Sequence, residues 1–297
     1  MNNNNLCGEH QVVEQQEQNS SFSHDLLVDD DEFSFRSSYI DDEEVAMLFE
    51  RENMHLPRED YLMRLQNGDL DPTHRRDSID WIAKVIDYYD FGPSTAYLSA
   101  NYLDRFVSVN QLPADPWVMQ LLAVTCLSLA AKVDETRRPP SLYLQVCEPK
   151  FTFQATTIKR MELLVLSTLN WRMASVTPFS FIEYFLIKIN GHKPSRTLIS
   201  TSVQLILSSI RGTEFLNLKP SEIAAAIAIY VSSGGTLAVD YASAISCFIQ
   251  HEKLLKCLEM IQEVPIGYGF LQNESSSLSS VTQSPNGVLD AACSFNY

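Results

Sequence analysis

The chain has 297 residues, of which 37 are acidic and 22 are basic, so its formal charge at pH 7 is −15. This balance argues against a nucleic-acid-binding surface, whose affinity comes mainly from Lys and Arg neutralising phosphates, and against a polybasic membrane anchor. The N-terminus, MNNNNLCGEH, has neither the basic region nor the apolar run of a signal peptide. The longest nearly apolar run lies within residues 117–131, which is shorter than the roughly 18 residues that a membrane span needs. We therefore expect a soluble intracellular protein with neither a membrane nor a nucleic acid as partner.

The six cysteines are far apart and contain no C-x-x-C pair, and the six histidines are equally scattered. Reduced thiols that serve as small core side chains fit this distribution, especially in the apolar stretches around Cys126 and Cys247. A metal site needs clustered ligands, so we expect no metal and no cofactor. The cysteines are Cys7, Cys126, Cys147, Cys247, Cys257 and Cys293.

Both ends of the chain are polar. Residues 1–40 are rich in Asn, Gln, Ser and Asp, and residues 265–297 are rich in Ser. Neither segment can bury enough apolar area to offset the entropy of ordering, so we predict a disordered arm and a disordered tail. In the tail, Ser284 followed by Pro285 is a minimal site for a proline-directed kinase, although this dipeptide is also frequent by chance.

Helical patterns fill the first half of the remaining chain. The segment 117–135, WVMQLLAVTCLSLAAKVDE, follows Asp115 as a capping residue and Pro116 at the first helical position. This segment is apolar nearly all round, which is typical of a helix at the centre of a bundle. Around it we predict helices at residues 41–56, 73–89, 94–107, 141–147 and 153–169.

The pattern is repeated in the second half. Pro220 opens PSEIAAAIAIYVSS, a second Ala-rich apolar helix that starts 104 residues after Pro116. No strand alternation of useful length is present. We therefore predict an all-α fold of two tandem five-helix units, one within residues 41–173, which include a preceding helix, and one within 174–264. The other helices of the second unit are predicted at residues 178–189, where Thr177 is the N-cap, and at 195–209, 240–248 and 252–263.

The first central helix ends in a charged tip, Lys132, Asp134 and Glu135, which the second central helix lacks. A cation near a helix C-terminus is favoured by the helix dipole, and this explains Lys132 without any function. Alternatively, Lys132 is held at the rim of a rigid core so that it can grip a partner. The residues alone leave both interpretations open.

No constellation for catalysis is present in the sequence. G-x-S-x-G, G-x-x-x-x-G-K-[ST] and H-E-x-x-H are all absent, and the G-x-G at Gly267 and Gly269 follows no predicted strand and lacks a third glycine. Asp134 and Glu135 are adjacent, so on a helix they point about 100° apart and cannot face each other. We therefore predict an interaction protein and not an enzyme.

Four segments, HRRDSIDWI, NYLDRF, LSLAAKVDE and RMELLVLSTLNW, occur in the order and spacing of the cyclin box. The form RRDSIDWI, the acidic arm and the ending SPNGVLDAAC resemble the plant D-type cyclins. The resemblance implies two cyclin folds and an activating subunit of a cyclin-dependent kinase at the G1/S transition. It also implies a location in the nucleus, with the cytoplasm as a second compartment, and kinase-inhibitor proteins as further partners.

The resemblance implies roles for five residues. Arg75 and Asp104 would form an internal ion pair between the helices at 73–89 and 94–107, and Leu121 would pack in the centre. Lys132 and Glu162 would reach toward the mobile helix of the kinase.

Cyclins also carry a hydrophobic patch that docks Arg-x-Leu peptides, and here the sequence departs from the family. Trp81 and Gln120 match the patch, but Asp77 and Ser78 stand where Ile and Leu are usual. We expect weaker docking of substrates, or a preference for basic residues opposite Asp77. Core packing is an equally good explanation of Trp81.

D-type cyclins bear an N-terminal Leu-x-Cys-x-Glu motif that binds retinoblastoma-type pocket proteins. This chain has Cys7 and Glu9, but Asn5 stands in place of the leucine and Leu6 lies one residue away. Alternate side chains of an extended peptide share a face, so Leu6 would point away from the partner. We expect weakened binding to a retinoblastoma-related protein, and the partial match is also compatible with coincidence.

A rival within the same fold is a cyclin-like transcription factor that binds DNA directly. Such proteins use basic surfaces beside their repeats, and the charge of −15 argues against this alternative.

Overall fold

The computed structural model describes residues 42–110, 112, 115–234 and 249–263, together with the backbone of residues 282–283. These residues form ten α-helices, four short 3-10 helices and two strands of two residues each, so the predicted all-α class is confirmed. The helices are α1 Asp42–Glu52, α2 Tyr61–Gln66, α3 Pro72–Tyr89, α4 Pro93–Val109, α5 Pro116–Asp134, α6 Ala155–Thr168, α7 Ile182–Asn190, α8 Arg196–Ser209, α9 Pro220–Ser232 and α10 His251–Glu263. The 3-10 helices are Asn53–His55, Ser141–Leu144, Pro178–Ser180 and Thr213–Asn217.

Helix α5 lies at the centre of the first unit and packs against α3, α4 and α6. Leu121, Leu122 and Leu127 on this helix are almost completely buried. By length and composition α5 could cross a membrane, contrary to our expectation from the apolar run, but 72% of its apolar window is buried inside the protein. It is therefore the core helix that its apolar circumference predicts.

Helix α9 occupies the equivalent place in the second unit, with α7, α8 and α10 packed around it. Its residues 224–229 are fully buried. The two units meet at a small third cluster of Ile79, Ala100 and Ile210.

Helix α1 precedes the first unit in the sequence but packs on the second. Val45 belongs to the core of the second unit, where the ring of Phe49 lies tilted against that of Phe181 at a centroid distance of 5.1 Å. The carboxylate of Glu52 accepts hydrogen bonds from the backbone N–H of Ser221 at 3.0 Å and from its hydroxyl at 2.9 Å. Glu52 therefore caps the N-terminus of α9, which has no hydroxyl or amide side chain at its own N-cap position.

Several predicted boundaries are wrong for local reasons. The helix expected at 141–147 is only the 3-10 helix Ser141–Leu144, because the backbone of Gln145 leaves the helical region with a ψ of 62°. Asp115 has the N-cap position of α5, but its side chain makes no capping hydrogen bond. The helix expected from 178 to 189 is divided into a 3-10 helix and α7.

The remaining differences concern short or undescribed segments. Helix α2, Tyr61–Gln66, is not predicted at all, because its six residues are too few for a helical period to be recognised. The helix predicted at 240–248 and the arm at 1–40 lie outside the described residues, as does the tail except for residues 282–283. These two residues form β2, which pairs in parallel with β1, Phe151–Thr152.

Candidate functional site

Arg75 on α3 and Asp104 on α4 form the ion pair that the resemblance implies. Arg75 Nε lies 2.7 Å from Asp104 Oδ1, and Nη2 lies 3.0 Å from Oδ2, so the contact is bidentate. The side chains are only 4% and 6% exposed. Tyr61 on α2 donates its hydroxyl to Asp104 Oδ1 at 2.9 Å. Because both carboxylate oxygens have partners, the buried charge of Asp104 is fully satisfied.

Arg75 also binds the second unit, which the sequence does not indicate. Its Nη2 donates to the carbonyl of Ile210 at 2.8 Å and its Nη1 to the carbonyl of Arg211 at 3.1 Å, at the C-terminal end of α8. Burial lowers the pKa of Arg75, but the charge and hydrogen bonds of Asp104 more than offset this effect, and the net pKa is raised. Arg75 therefore connects three helices and both units.

Lys132 on α5 and Glu162 on α6 are brought together at one edge of the first unit. The lysine ammonium contacts Glu162 Oε1, and the same oxygen accepts the hydroxyl hydrogen of Ser128 at 2.6 Å. The Lys132 side chain is 38% exposed and that of Glu162 only 10%. The resemblance implies that both residues reach toward a partner; in this structure they also bind each other. Ser128 lies one turn before Lys132, and no sequence signal marked it.

Two exposed aliphatic side chains are next to this pair in the sequence. Val133 and Leu163, the immediate sequence neighbours of Lys132 and Glu162, are 49% and 51% exposed. Consecutive residues of a helix point about 100° apart, so these two aliphatic side chains flank the charge pair, and a partner that contacts the pair can also contact them. We call the four residues Lys132, Val133, Glu162 and Leu163 the α5–α6 edge.

The two acidic residues that end the α5 segment have a structural role. Glu135 Oε1 accepts the backbone N–H of Gly92 at 2.8 Å, and Gly92 is the N-cap of α4. The hydroxyl of Thr95 lies 2.5 Å from the same oxygen and 3.0 Å from Asp134 Oδ2. The carboxylates thus cap α4 and fix the end of α5 that carries Lys132.

The residues proposed for substrate docking lie on α3 and α5 but do not form one open patch. Trp81 is half-buried, and its indole N–H donates to the carbonyl of Val146 at 3.1 Å, so packing accounts for much of its position. The side-chain amide of Gln120 accepts the backbone N–H of Phe151 and donates to its carbonyl. Asp77 is exposed and faces the ammonium of Lys150 at 3.6 Å.

Ser78 does not lie on the surface, where a residue of the substrate-docking patch would have to be. It is buried, and its hydroxyl donates to the carbonyl of His74 one turn earlier on α3. Its side chain is therefore unavailable to a peptide, and the polar substitution that could affect docking is Asp77.

A buried polar junction lies near the linker between the units, and no sequence pattern indicates it. His55 accepts the backbone N–H of Val176 at its Nδ1, at 3.4 Å, and burial, followed by the charge of Arg105, lowers its pKa from 6.5 to about 4. Arg105 itself donates to the carbonyl of Arg172 and to the hydroxyl of Ser175, each at 3.0 Å. Burial lowers the pKa of Arg105 to about 10.

The remaining predicted residues are the cysteines and the motifs near the two ends of the chain. Cys126, Cys147 and Cys257 are free, and burial raises the pKa of Cys126 and Cys257. Across the described ranges, no three His, Cys, Asp or Glu side chains are grouped so that they could hold a metal ion. The pocket-protein motif, Asn5, Cys7 and Glu9, lies outside the described residues, as do Cys247, Cys293 and Ser284.

Family models match both units. The model of the cyclin N-terminal domain matches residues 43–174, and that of the cyclin C-terminal domain matches residues 176–286. The chain belongs to the cyclin family. By its family it is a regulatory subunit of a cyclin-dependent kinase, not an enzyme itself.

The curated relatives identify the type of cyclin. Cyclin-D4-1 of Oryza sativa subsp. japonica is 50% identical over 261 residues, which cover 85% of this chain and 71% of that protein. Cyclin-D4-1 of Arabidopsis thaliana is 45% identical over 270 residues, which cover 88% of this chain and 83% of that protein. The resemblance to plant D-type cyclins is therefore confirmed.

Two solved structures share the fold at low sequence identity. A viral cyclin from herpesvirus saimiri superposes with a TM-score of 0.54 at 15% identity and covers 66% of this chain and 87% of the viral chain. A chain of the yeast RNA polymerase II CTD kinase complex CTDK-1 gives a TM-score of 0.51 at 14% identity, covering 70% of this chain and 71% of the other. The viral cyclin, together with the family models, confirms the tandem cyclin fold, and the chain of the yeast complex shares it.

Proposed function

We propose that this chain activates a cyclin-dependent kinase at the G1/S transition and promotes phosphorylation of retinoblastoma-type proteins. The observation that carries the proposal is the α5–α6 edge. Its lysine and glutamate sit on two helices of a close-packed core, with Ser128 holding the carboxylate and Glu135 holding the end of α5.

In this proposal the chain activates the kinase by binding its mobile helix and takes no part in the chemical step. A kinase is active when the glutamate of its mobile helix pairs with the lysine that positions ATP. A partner that binds the mobile helix only in this position shifts the population toward the active state. Lys132 offers donors and Glu162 offers its second oxygen to the backbone of such a helix, while Val133 and Leu163 cover its apolar side chains.

Partners other than the kinase belong to the same proposal. Substrates would dock near Asp77 and Gln120, and the exposed carboxylate of Asp77 favours basic residues in the docked peptide. A retinoblastoma-related protein would bind the N-terminal arm weakly, and kinase-inhibitor proteins would bind the assembled complex. The chain would act in the nucleus, with the cytoplasm as a second compartment; because the sequence has no Lys/Arg-rich cluster, nuclear entry would depend on the kinase.

Co-purification with a cyclin-dependent kinase tests the proposal. Truncating one member of a hydrogen-bonded interfacial charge pair costs about 2–5 kcal/mol, which is at least about 30-fold in affinity. Lys132→Ala and Glu162→Ala should therefore lose kinase binding and phosphorylation of a pocket-protein substrate while the fold is retained.

Lys188→Ala is the matched control. The Lys188 side chain is 40% exposed and is paired with Asp42 at 2.9 Å, but it lies on the second unit, so its loss should leave kinase binding unchanged. A wild-type chain that binds no kinase would refute the proposal. Binding without activation would point to an inhibitor-like role instead.

A further inference from the structure

The segment that contains β1 is held extended by two glutamine side chains. Gln120 accepts the backbone N–H of Phe151 at 3.2 Å and donates to its carbonyl at 3.4 Å. Gln145 makes the same two contacts with Phe153, at 2.6 and 2.9 Å. Side-chain amides therefore take the place of a neighbouring strand along one side of this segment.

The opposite side of the segment is a strand edge. In an extended chain the backbone groups of alternate residues point the same way, so those of Lys150 and Thr152 point away from the two glutamines. The chain's own tail pairs there in parallel, with Thr282 opposite Phe151. In a parallel ladder, a residue forms hydrogen bonds with the two residues that flank its partner on the other strand. The groups of Thr282 are thus directed at Lys150 and Thr152, both of which carry additional interactions.

This edge adjoins the residues proposed for substrate docking. Lys150 at the start of the segment faces one of them, Asp77, at 3.6 Å, whereas Gln120 binds the opposite side of the segment at Phe151. A peptide that docks in extended form beside Asp77 and continues along residues 150–152 would compete with the tail for the same edge.

We propose that the edge at Lys150–Thr152 is a strand-addition site, and that the C-terminal segment around residues 282–283 occupies it in cis and excludes docked substrates. The segment 281–283, Val-Thr-Gln, is uncharged and rich in β-branched side chains, which suits a strand. The described strand β2 has only two residues, so the added strand is short and exchangeable. The part of the proposal that concerns substrates rests on the proposed function; the occupancy of the edge does not.

A binding assay on the full-length chain without any kinase tests the occupancy. The probe is a fluorescently labelled synthetic peptide of residues 277–289. A tethered segment has an effective concentration on the order of 1 mM, so for a peptide with a Kd of about 10 μM the tail should weaken binding to the wild type about 100-fold.

Two proline substitutions in the tail provide a matched pair. Thr282→Pro removes the N–H directed at Lys150 and should free the edge, so that this variant binds the peptide about 100-fold more tightly than the wild type. Gln283→Pro alters the neighbouring residue, whose N–H points away from β1, and should behave like the wild type. Equal binding to all three chains, or binding to none, would overturn the proposal.

The kinase complex tests the exclusion of substrates. With Thr282→Pro the KM for a full-length pocket protein should fall while kcat stays constant, and a short peptide that contains only the phosphorylation site should show no change. An unchanged KM in a complex whose edge has been freed refutes the exclusion. If no kinase complex forms at all, the proposed function fails while the peptide assay still decides the occupancy.

Discussion

Replacement of Arg75 by alanine should be among the most destabilising single changes in this protein. The substitution leaves the Asp104 carboxylate buried with only the hydroxyl of Tyr61 as a described donor, and it removes the donors of two carbonyls at the end of α8. Breaking a buried ion pair by removing one partner costs about 3–5 kcal/mol. For a chain of this size each kcal/mol lowers the melting temperature by about 2–4 °C, so Arg75→Ala should lower it by about 6–20 °C.

Thermal unfolding followed by calorimetry measures this effect, and Arg58→Ala is the control. Arg58 pairs with Asp60 at 3.2 Å, but its side chain is 58% exposed, and an exposed pair contributes about 0–1 kcal/mol. Arg75→Lys keeps the charge but loses the bidentate contact, so its melting temperature should fall between the other two. A shift for Arg75→Ala no larger than that for Arg58→Ala would refute the argument that the buried pair joins the two units.

Three further changes have defined outcomes. Because folding lowers the pKa of His55 to about 4, its contribution to stability is complete above pH 6.5 and is lost as the pH falls toward 4. In urea unfolding, the stability difference between the wild type and His55→Gln should therefore shrink by about 2.5 kcal/mol between pH 7 and pH 4.5; an unchanged difference would contradict the pKa shift. Glu52→Ala removes the cap of α9 and should cost about 1–2 kcal/mol, visible as a lower melting temperature, whereas an unchanged value would show that water replaces the carboxylate. Asn5→Leu completes the Leu-x-Cys-x-Glu motif and should tighten binding to a retinoblastoma-related protein in a titration, and equal affinity of the two forms would dismiss the motif.

The central helices could be predicted nearly to the residue because their signals are local. Pro116 and Pro220 each fix a first helical position, and an apolar circumference can be satisfied only inside a bundle. The short elements could not be predicted in the same way. Helix α2 has six residues, and the end of the 3-10 helix at Leu144 depends on tertiary hydrogen bonds through Gln145.

For the candidate site, the residues could be predicted from the sequence, but most of their contacts could not. The resemblance indicates Arg75, Asp104, Lys132 and Glu162, and the first two pair as it implies. Contacts over long sequence separations have no local signal: the bond from Arg75 to the carbonyl of Ile210 spans 135 residues. The hydroxyl of Ser128 was overlooked for a related reason, since a serine within an apolar helix reads as a neutral small residue until its acceptor on another helix is known.

The position of α1 has a consequence for the time at which this protein completes its fold. The bonds from Ser221 to Glu52 span 169 residues, so α1 leaves the ribosome long before the helix that it caps exists. At about 5–20 residues per second, the delay is on the order of 10–30 s. During this interval the face of α1 that carries Val45 and Glu52 has no native partner, and the first unit is complete only after α6, which ends at Thr168, has also left the ribosome. A stalled nascent chain whose exposed part ends between residues 180 and 220 should therefore present a folded first unit and an α1 that remains accessible to chaperones.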